Sequence, residues 1–362
     1  MTDKTHSDGT TRRSTYSRRS VIGGIAVGAA AIAAPNVIRA QSGGRVLVRT
    51  SGGSYQDALQ AGTWNSFTQK TGIEVVGVAA NTGKLLAMVE AGSRELDIVE
   101  GNAVAILTLQ SKGALQPLDV SRFEYTDPKD IGTVGPDFIS YASFAEALVY
   151  NTDAFPKTHP TDWKQFWDVN SFPGKRMLQD AKAIAPNLEF ALLADGVPVE
   201  QLYPLDIDRA FAKLKQIKPH IVKFFDSGAL GASLLAEKTA VLGSLWTNRV
   251  EALRKGGAPL AVEWNQAMRL TEYTAVLKNA PNRDAALRLL DYSSSPEAQA
   301  RTLPQIGLSP ENKRAFEYIS QDVAETLPTF PAIAQKGFEQ NADWWLKNRA
   351  QVATRWEEFL LG

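Results

Sequence analysis

Three times between Arg45 and Gly113, a short β-branched run gives way to a segment with apolar residues at helical spacing. Arg45-Val46-Leu47-Val48-Arg49-Thr50 alternates and predicts a strand. After the Ser51-Gly52-Gly53-Ser54 turn, Tyr55 to Gly72 puts Leu59, Trp64 and Phe67 at helical spacing and stops at Gly72. Ile73 to Val78 predicts a second strand and Leu85 to Ala91 a helix. Leu96 to Glu100 predicts a third strand, and Ala103 to Lys112 a helix closed by Gly113. Strands joined through helices lie parallel, because a parallel pair needs a crossover long enough to bring the chain back to the same end of the sheet. The pattern predicts an α/β fold with a parallel, doubly wound sheet.

A second series follows. Ala145 to Asn151 reads as a strand, and then comes a segment rich in Pro and Trp, from Pro156 through Trp163 and Trp167 to Pro173-Gly174-Lys175. Arg176 to Leu178, Ile221 to Phe225 and Ala240 to Gly243 predict strands, with helices at Pro186 to Ala194 and Ile207 to Ile217. Leu260 to Trp264 and Thr274 to Leu277 predict two later strands. Beyond Pro281 helices are predicted at Arg283 to Ser293, Pro296 to Leu303, Glu311 to Ser320 and Ala342 to Leu361. Two α/β units facing one another would leave a cleft between them.

The first forty residues are of another kind. Ser17-Arg18-Arg19-Ser20 precedes a Gly/Ala-rich apolar run from Val21 to Ala34, and Val37-Ile38-Arg39-Ala40 follows. A basic start, a short apolar stretch and a small-residue cut site make an export signal, and the paired arginines look like a twin-arginine signal. The apolar run falls short of the roughly 20 residues that span a bilayer. Residues 1–40 are therefore read as a cleaved signal, with the mature chain starting near Gln41 in the periplasm.

Composition narrows the function classes. The chain has 39 basic and 39 acidic residues; residues 1–40 hold six of the former and two of the latter, leaving 33 against 37. No basic surplus marks a nucleic-acid binder. With no cysteine, a thiol nucleophile, thiolate metal sites and iron–sulfur clusters are excluded. Only His159 and His220 remain outside the first forty residues, both beside prolines. They read as surface turn residues and supply no histidine metal site. No Gly-x-Ser-x-Gly elbow is present. No metal and no cofactor are expected, and the chain does not read as an enzyme.

Ligands of open α/β sheets sit beyond the carboxyl ends of the strands. That rule nominates Ser51, Gly53, Ser54 and Tyr55, then Glu100 and Asn102, Gln179-Asp180, and Trp246, Asn248 and Arg249. Glu100 and Glu146 end or sit inside apolar strands, where an unpaired charge is costly, so each faces either the cleft or a structural partner. Glu272 and Tyr273 stand in the same position. Asp180 is either an amine ligand or a helix cap, and Trp246 either cleft wall or core. Arg249 either meets a ligand anion or pairs with Glu251.

A set of landmarks carries a resemblance. They are Thr50-Ser51-Gly52-Gly53-Ser54-Tyr55-Gln56, Phe67-x-x-Lys70-Thr71-Gly72-Ile73, Asp97-Ile98-Val99 and Ala147-Leu148-Val149-Tyr150-Asn151-Thr152. Trp163-x-x-Phe166-Trp167, Pro173-Gly174-Lys175, Trp246-x-Asn248-Arg249 and the tail Trp344-Trp345-x-x-x-x-Arg349 with Arg355-Trp356 complete it. In order and spacing these resemble the extracytoplasmic solute-binding proteins of ABC importers, in the spermidine/putrescine-binding family, over essentially the whole mature chain.

The resemblance implies a two-lobed periplasmic binding protein fold with two crossing hinge strands and a C-terminal helical segment. Lobe one would take residues 45–147 plus 273–308 and lobe two 151–269, with 309–362 bracing them. It implies a monomer that captures a small solute and hands it to ABC permease subunits in the inner membrane, with no nucleic-acid partner. Asp180 falls at the family's amine-binding aspartate, Trp246 at its cleft aromatic, and Leu270 and Glu272 at its aromatic and aspartate of the second crossing strand. The glutamate expected after Asp180 is replaced by Ala183, and an early cleft aromatic by the Ser51 to Ser54 turn. The leading expectation is a putrescine- or spermidine-like amine. Its ammonium would lie on Asp180, Glu272 and Glu100 or Glu146, and its carbon chain against Trp246 and Tyr55. The alternatives are an amino acid, opine or phosphonate anchored by Arg249, or a periplasmic enzyme on the same fold. Trp344-Trp345 is expected to dock a helix, not to touch ligand.

Overall fold

The computed structural model describes residues 44–362. The expected twin-arginine signal and its expected cut near Gln41 lie outside the described residues. One sheet organises the rest. Its strands are β1 (Arg45–Thr50), β2 (Glu74–Ala79), β3 (Ile98–Asn102), β4 (Ile139–Asn151), β5 (Arg176–Gln179), β6 (Ile221–Phe225), β7 (Leu242–Trp246) and β8 (Leu260–Val276), with the short β9 (Ser309–Pro310) and β10 (Phe338–Glu339). Their spatial order is β2-β1-β3-β8-β4-β7-β5-β6, with β9 on β4 and β10 on β8.

The expected parallel pairing holds inside each half: β1 lies parallel to β2 and β3, and β5 to β6 and β7. The sheet as a whole is mixed, because β4 and β8 cross its middle antiparallel to each other and to β7 and β3. Both are longer than the periodicity predicts. β4 begins at Ile139 because Ser140, Ala142 and Ser143 are small enough to be buried there, though they carry little strand signal. The two late strands expected at Leu260 and Thr274 are one strand of 17 residues. The stretch between them leaves the ladder at Trp264–Ala267 and rejoins it from Met268, paired with β4 up to Thr274.

The first long helix runs from Gly53 to Thr71 and ends at Gly72 in the left-handed conformation, as its sequence predicts. It contains a π turn, Gln60–Trp64. A Cβ on Gly62 there would sit 3.1 Å from the Thr302 backbone, so only glycine lets the two segments touch, and Thr63 and Thr302 share a hydrogen bond at 2.7 Å. Helices Gly228–Ala236 and Thr247–Lys255 were not expected from the sequence. The first is apolar nearly all round and the second mostly polar, so neither shows a clear amphipathic stripe.

Two buried polar anchors fix the halves internally. Asp97 is fully buried and accepts from the backbone of Leu47 and from both the backbone and side chain of Asn282, at 2.7–3.0 Å. It ties β1 to the helix Arg283–Ser293. In the other half, Trp163 stacks on Phe190 at 3.8 Å and donates its indole N–H to the Gln266 carbonyl. His159 is more than a turn residue: its ring stacks on Tyr150 at 4.0 Å and its Nε2 lies 3.2 Å from Glu263.

The C-terminal helix, Ala342–Leu361, docks through Trp345, Trp356 and Phe359, all buried. Trp345 donates to Glu189, while Trp356 and Phe359 pack on Phe211 and Phe224. The Trp344-Trp345 pair is thus a docking element as expected, although Trp345 also reaches the cavity described next.

Candidate functional site

The nominated positions fall where the strand–helix alternation puts them, at the carboxyl ends of β1, β3, β5 and β7. They do not form one cluster. Three groups can be distinguished by what each side chain touches.

The first is acidic. Tyr55, carried by the helix that starts at Gly53, donates its hydroxyl to Glu100 Oε2 at 2.7 Å. Glu272 shares that face of the sheet, because Asn102 pairs directly with it and Glu100 pairs with Thr274. Side chains two residues apart on a strand point the same way. Burial pushes the Glu100 carboxyl up to about 7, and the nearby Glu272 adds to this; the Tyr55 bond and Arg49 oppose it. Burial likewise raises Glu272, with Arg49 the opposing charge. Burial and the two carboxylates raise the hydroxyls of Tyr55 and Tyr141. Arg49 and Tyr141 were not singled out from the sequence. Arg49 spans the ends of three strands, donating to the carbonyls of Ala80 and Glu100 at 2.7 Å. A lone arginine at the outward end of an otherwise apolar strand was the available signal.

The second group is sealed. Glu146 is fully buried and accepts from Asn187 at 2.7 Å, and Asn187 also accepts from Ser244. Burial pushes Glu146 up to about 8, and Glu189 adds to the shift. Glu189 in turn holds Tyr203 and Trp345 at 2.6 and 2.7 Å. The Asn187 bonds tie β4 to β7 and give one Glu146 oxygen a structural partner, while Oε2 has none among the described residues; the Glu189 bonds hold the C-terminal helix separately.

The third group is aromatic and basic. Trp246, the last residue of β7, donates its indole N–H to Gln179 at 2.8 Å and meets Phe144 and Phe225 edge-on. Gly228 lies against it; a Cβ there would come within 2.6 Å of the Trp246 ring and 3.1 Å of Arg249 Nε. Arg249 is exposed, and the alternative partner Glu251 pairs with Arg254 instead. Asn248 Oδ1 is buried without a partner among the described residues. Asp180 accepts from the backbone N–H of Lys182 at 2.8 Å, the capping geometry of a turn.

The remaining nominated residues are placed as follows. Gly53 opens its helix with a positive φ of 55°, following Gly52 at 74°, a pair of left-handed residues suited to glycine. Ser51 is exposed before it, and Ser54 lies within that helix. Asn102 caps the helix Ala103–Ser111 by accepting from Ala105 at 2.9 Å. Tyr273 points away from Glu272, to the other face of β8, and stacks on Phe138 at 4.5 Å.

A cavity of about 440 Å³ opens against β8; Asn102 lines it, but Glu100 and Glu272 do not. Its origin is a gap in the sheet. β4 pairs with one edge of β8 over Leu260–Glu263 and Met268–Thr274. On the other edge, β3 ends opposite Glu272 and β10 ends opposite Arg269, so Leu270 and Thr271 have no strand beside them. Both residues line the cavity, with Asn102, Tyr273, Ile184 and Trp345. Glu272 is therefore bracketed by two lining residues: Asn102 across from it and Leu270 two residues before it on the same face.

Comparison with known proteins matches this geometry to a family. The family model of bacterial extracellular solute-binding proteins matches residues 63–332. The gamma-aminobutyric acid-binding protein of Pseudomonas aeruginosa is 32% identical over 313 residues, covering 84% of this chain and 87% of that protein. The spermidine/putrescine-binding periplasmic protein of Salmonella typhimurium is 23% identical over 301 residues, covering 80% and 85%. Among solved structures, a GABA receptor superposes with a TM-score of 0.78 at 31% identity, covering 87% of this chain and 97% of that one.

Proposed function

This chain belongs to the bacterial extracellular solute-binding proteins, and from that premise we propose that it is the periplasmic receptor of an ABC importer for a small solute bearing a primary amine. The observation that carries the reading is the Glu100–Glu272 pair. A buried carboxylate, Glu100, and a half-buried one, Glu272, share one face with a single arginine nearby, and that arginine is engaged by backbone carbonyls. Two like charges at one site cannot both ionise cheaply. An ammonium placed between them supplies the missing charge and the missing donors.

A four-carbon ω-amino acid fits the reading better than a polyamine. The amine pole is present, while the indole N–H of Trp246 is taken by Gln179. The similarity to gamma-aminobutyric acid receptors supports the same choice. In this proposal residues 45–147 with 273–308 form one lobe and 151–269 the other. β4 and β8 act as the hinge, residues 309–362 brace the assembly, and the protein is a monomer. Ligand favours the closed form by the difference in its affinities for the two forms.

Titration calorimetry with γ-aminobutyrate, 1,4-diaminobutane and butyrate tests the amine requirement. The reading fails if butyrate binds as tightly as the two amines. The pH dependence is a separate check. Glu100, near 7, is largely protonated at pH 5 and ionised at pH 8, and an ammonium selects the ionised form. Affinity for an amine is therefore expected to rise from pH 5 to 8, with a proton released on binding near pH 7. The ligand-free protein should behave oppositely. Glu100 and Glu146 hold protons in the folded state that the unfolded chain, with ordinary carboxyls, has lost. Stability thus falls as pH rises from about 4.5 towards 8. A pH-independent affinity and no buffer-dependent proton release would remove Glu100 from the site.

Export in the folded state through the twin-arginine route is part of the proposal, resting on Arg18-Arg19. Lysine at both positions is expected to leave the precursor in the cytoplasm. Undiminished recovery from the periplasm would point to another route.

A further inference from the structure

We infer that Glu311 is held as a neutral acid at the head of a hydrogen-bond chain, Glu311–Ser143–Thr271–Glu339, which fastens the β9 and β10 segments to both crossing strands and opens when Glu311 loses its proton. The inference rests on strand register and a count of protons, and it stands or falls independently of the amine reading above.

Register brings the four side chains together. Ser143 of β4 pairs with Thr271 of β8 on one edge and with Ser309 of β9 on the other. Glu339 of β10 pairs with Arg269, two residues before Thr271 on the same face of β8. Glu311, just past β9, is buried and puts Oε1 in hydrogen-bond contact with Ser143 Oγ. The Ser143 and Thr271 hydroxyls lie 3.3 Å apart, Thr271 Oγ1 meets Glu339 Oε1 at 2.9 Å, and Glu339 Oε2 pairs with Arg269 at 2.6 Å. The backbone pins the head of the chain. The N–H groups of Glu311 and Asn312 both donate to Gln299, at 2.9 and 2.8 Å, and the Glu311 carbonyl accepts from Gly132 at 3.0 Å.

Three links need three protons. Each hydroxyl carries one, and Glu339, ion-paired with Arg269, only accepts. The third proton therefore comes from Glu311. With it the chain runs one way: Glu311 donates to Ser143, Ser143 to Thr271, and Thr271 to Glu339. Without it Ser143 turns round to donate to the ionised Glu311. The Ser143 and Thr271 oxygens then face each other with no proton between them, and a buried acceptor left unpaired is costly. Burial raises the Glu311 carboxyl above its ordinary value and Glu339 adds to this, while the Ser143 bond, Arg269 and Ser140 oppose it. The charged and titratable groups that face Glu311 are Arg269 and Tyr273 from β8 and Glu339 from β10. β4 and the helix Pro296–Thr302 face it with Ser140, Ser143 and Gln299, which do not titrate. The chain is therefore complete below the raised value and opens as pH climbs through it.

The test combines infrared difference spectroscopy with amide hydrogen exchange on the ligand-free protein. Subtracting the Glu311→Gln spectrum from that of wild type at pH 7 should leave a carboxylic acid C=O band; a carboxylate band alone overturns the inference. Thr271→Val acts two links away. It takes the acceptor from Ser143, which then turns back to Glu311 and favours its ionised form. The Glu311 acid band should accordingly titrate away at a pH lower by roughly 0.5–1, the worth of one hydrogen bond. An unmoved titration in Thr271→Val would show that no chain joins the two residues. Exchange reads the fastening itself, through the amides of Gly132 and Gln340, which bond the carbonyls of Glu311 and Arg269. Their protection factors should fall about tenfold in wild type between pH 6 and 9. In Glu311→Gln they should stay level, because the amide donates to Ser143 at every pH. An equal fall in both proteins would mean that this proton does not hold the segments.

Discussion

Glu272→Gln is expected to weaken binding of an amine ligand by at least about tenfold, and the double variant Glu100→Gln/Glu272→Gln by a hundredfold or more. Removing one partner of a desolvated charge pair costs about 2–5 kcal/mol, and micromolar binding amounts to only about 8 kcal/mol in all. The amide keeps the shape of the side chain, so the loss reports charge and not volume. Stability should move the other way. Burial raises both carboxyls because their ionised forms are poorly solvated, and a neutral amide removes that penalty. The double variant should therefore melt at or above the wild-type temperature at pH 8. Calorimetry and thermal melting on the same sample separate the outcomes. A double variant that melts normally and still binds γ-aminobutyrate at wild-type strength would dismiss the carboxylates as ligands.

Arg176→Met is expected to cost about 3–5 kcal/mol of stability, because several carbonyls lose their donor at about 1–3 kcal/mol each when buried. The side chain is fully buried at the start of β5. Its guanidinium donates to the carbonyls of Phe166 at 2.9 Å, Gly174 at 2.5 Å, Asp168 at 3.4 Å and, also closely, Phe172. Those carbonyls belong to the end of the helix Trp163–Trp167 and the loop after it. One planar side chain thus gathers a segment with little regular structure of its own. Methionine fills similar volume but leaves the carbonyls without donors, each costing about 1–3 kcal/mol. Lysine should recover only part of the loss, because a single ammonium does not span the fork. Chemical denaturation reads the result. A loss under 1 kcal/mol would mean that water replaces the guanidinium and that the loop does not depend on it.

Much of the frame was legible because it is local. The alternation of β1, the first helix, β2 and β3 followed from side-chain period, and with it the rule that ligands sit past the strand ends. That rule pointed to Tyr55, Glu100 and Asn102, of which Tyr55 hydrogen-bonds Glu100 and Asn102 caps the next helix. It also led to Asp180 and Trp246; one Asp180 oxygen accepts from Lys182, and the Trp246 indole donates to Gln179. Position after a strand says where a side chain starts, not which neighbour takes its donors. The Pro- and Trp-rich stretch gave no period at all, and Arg176 read as a strand residue with no hint that it organises the loop before it.

The sequence by itself determined the α/β class, the strand ends and the exclusion of thiol and histidine metal chemistry, since these depend on residue type and short-range spacing. Tertiary structure alone decided how β4 and β8 cross, because pairing between distant strands leaves no mark in the period of either. That crossing sets which residues meet. It brings Glu272 opposite Asn102 and beside Glu100, sends Tyr273 to the other face, and leaves β8 bare at Leu270–Thr271 between β3 and β10. A strand's alternation fixes two faces, but only its register against its partners says what each face holds.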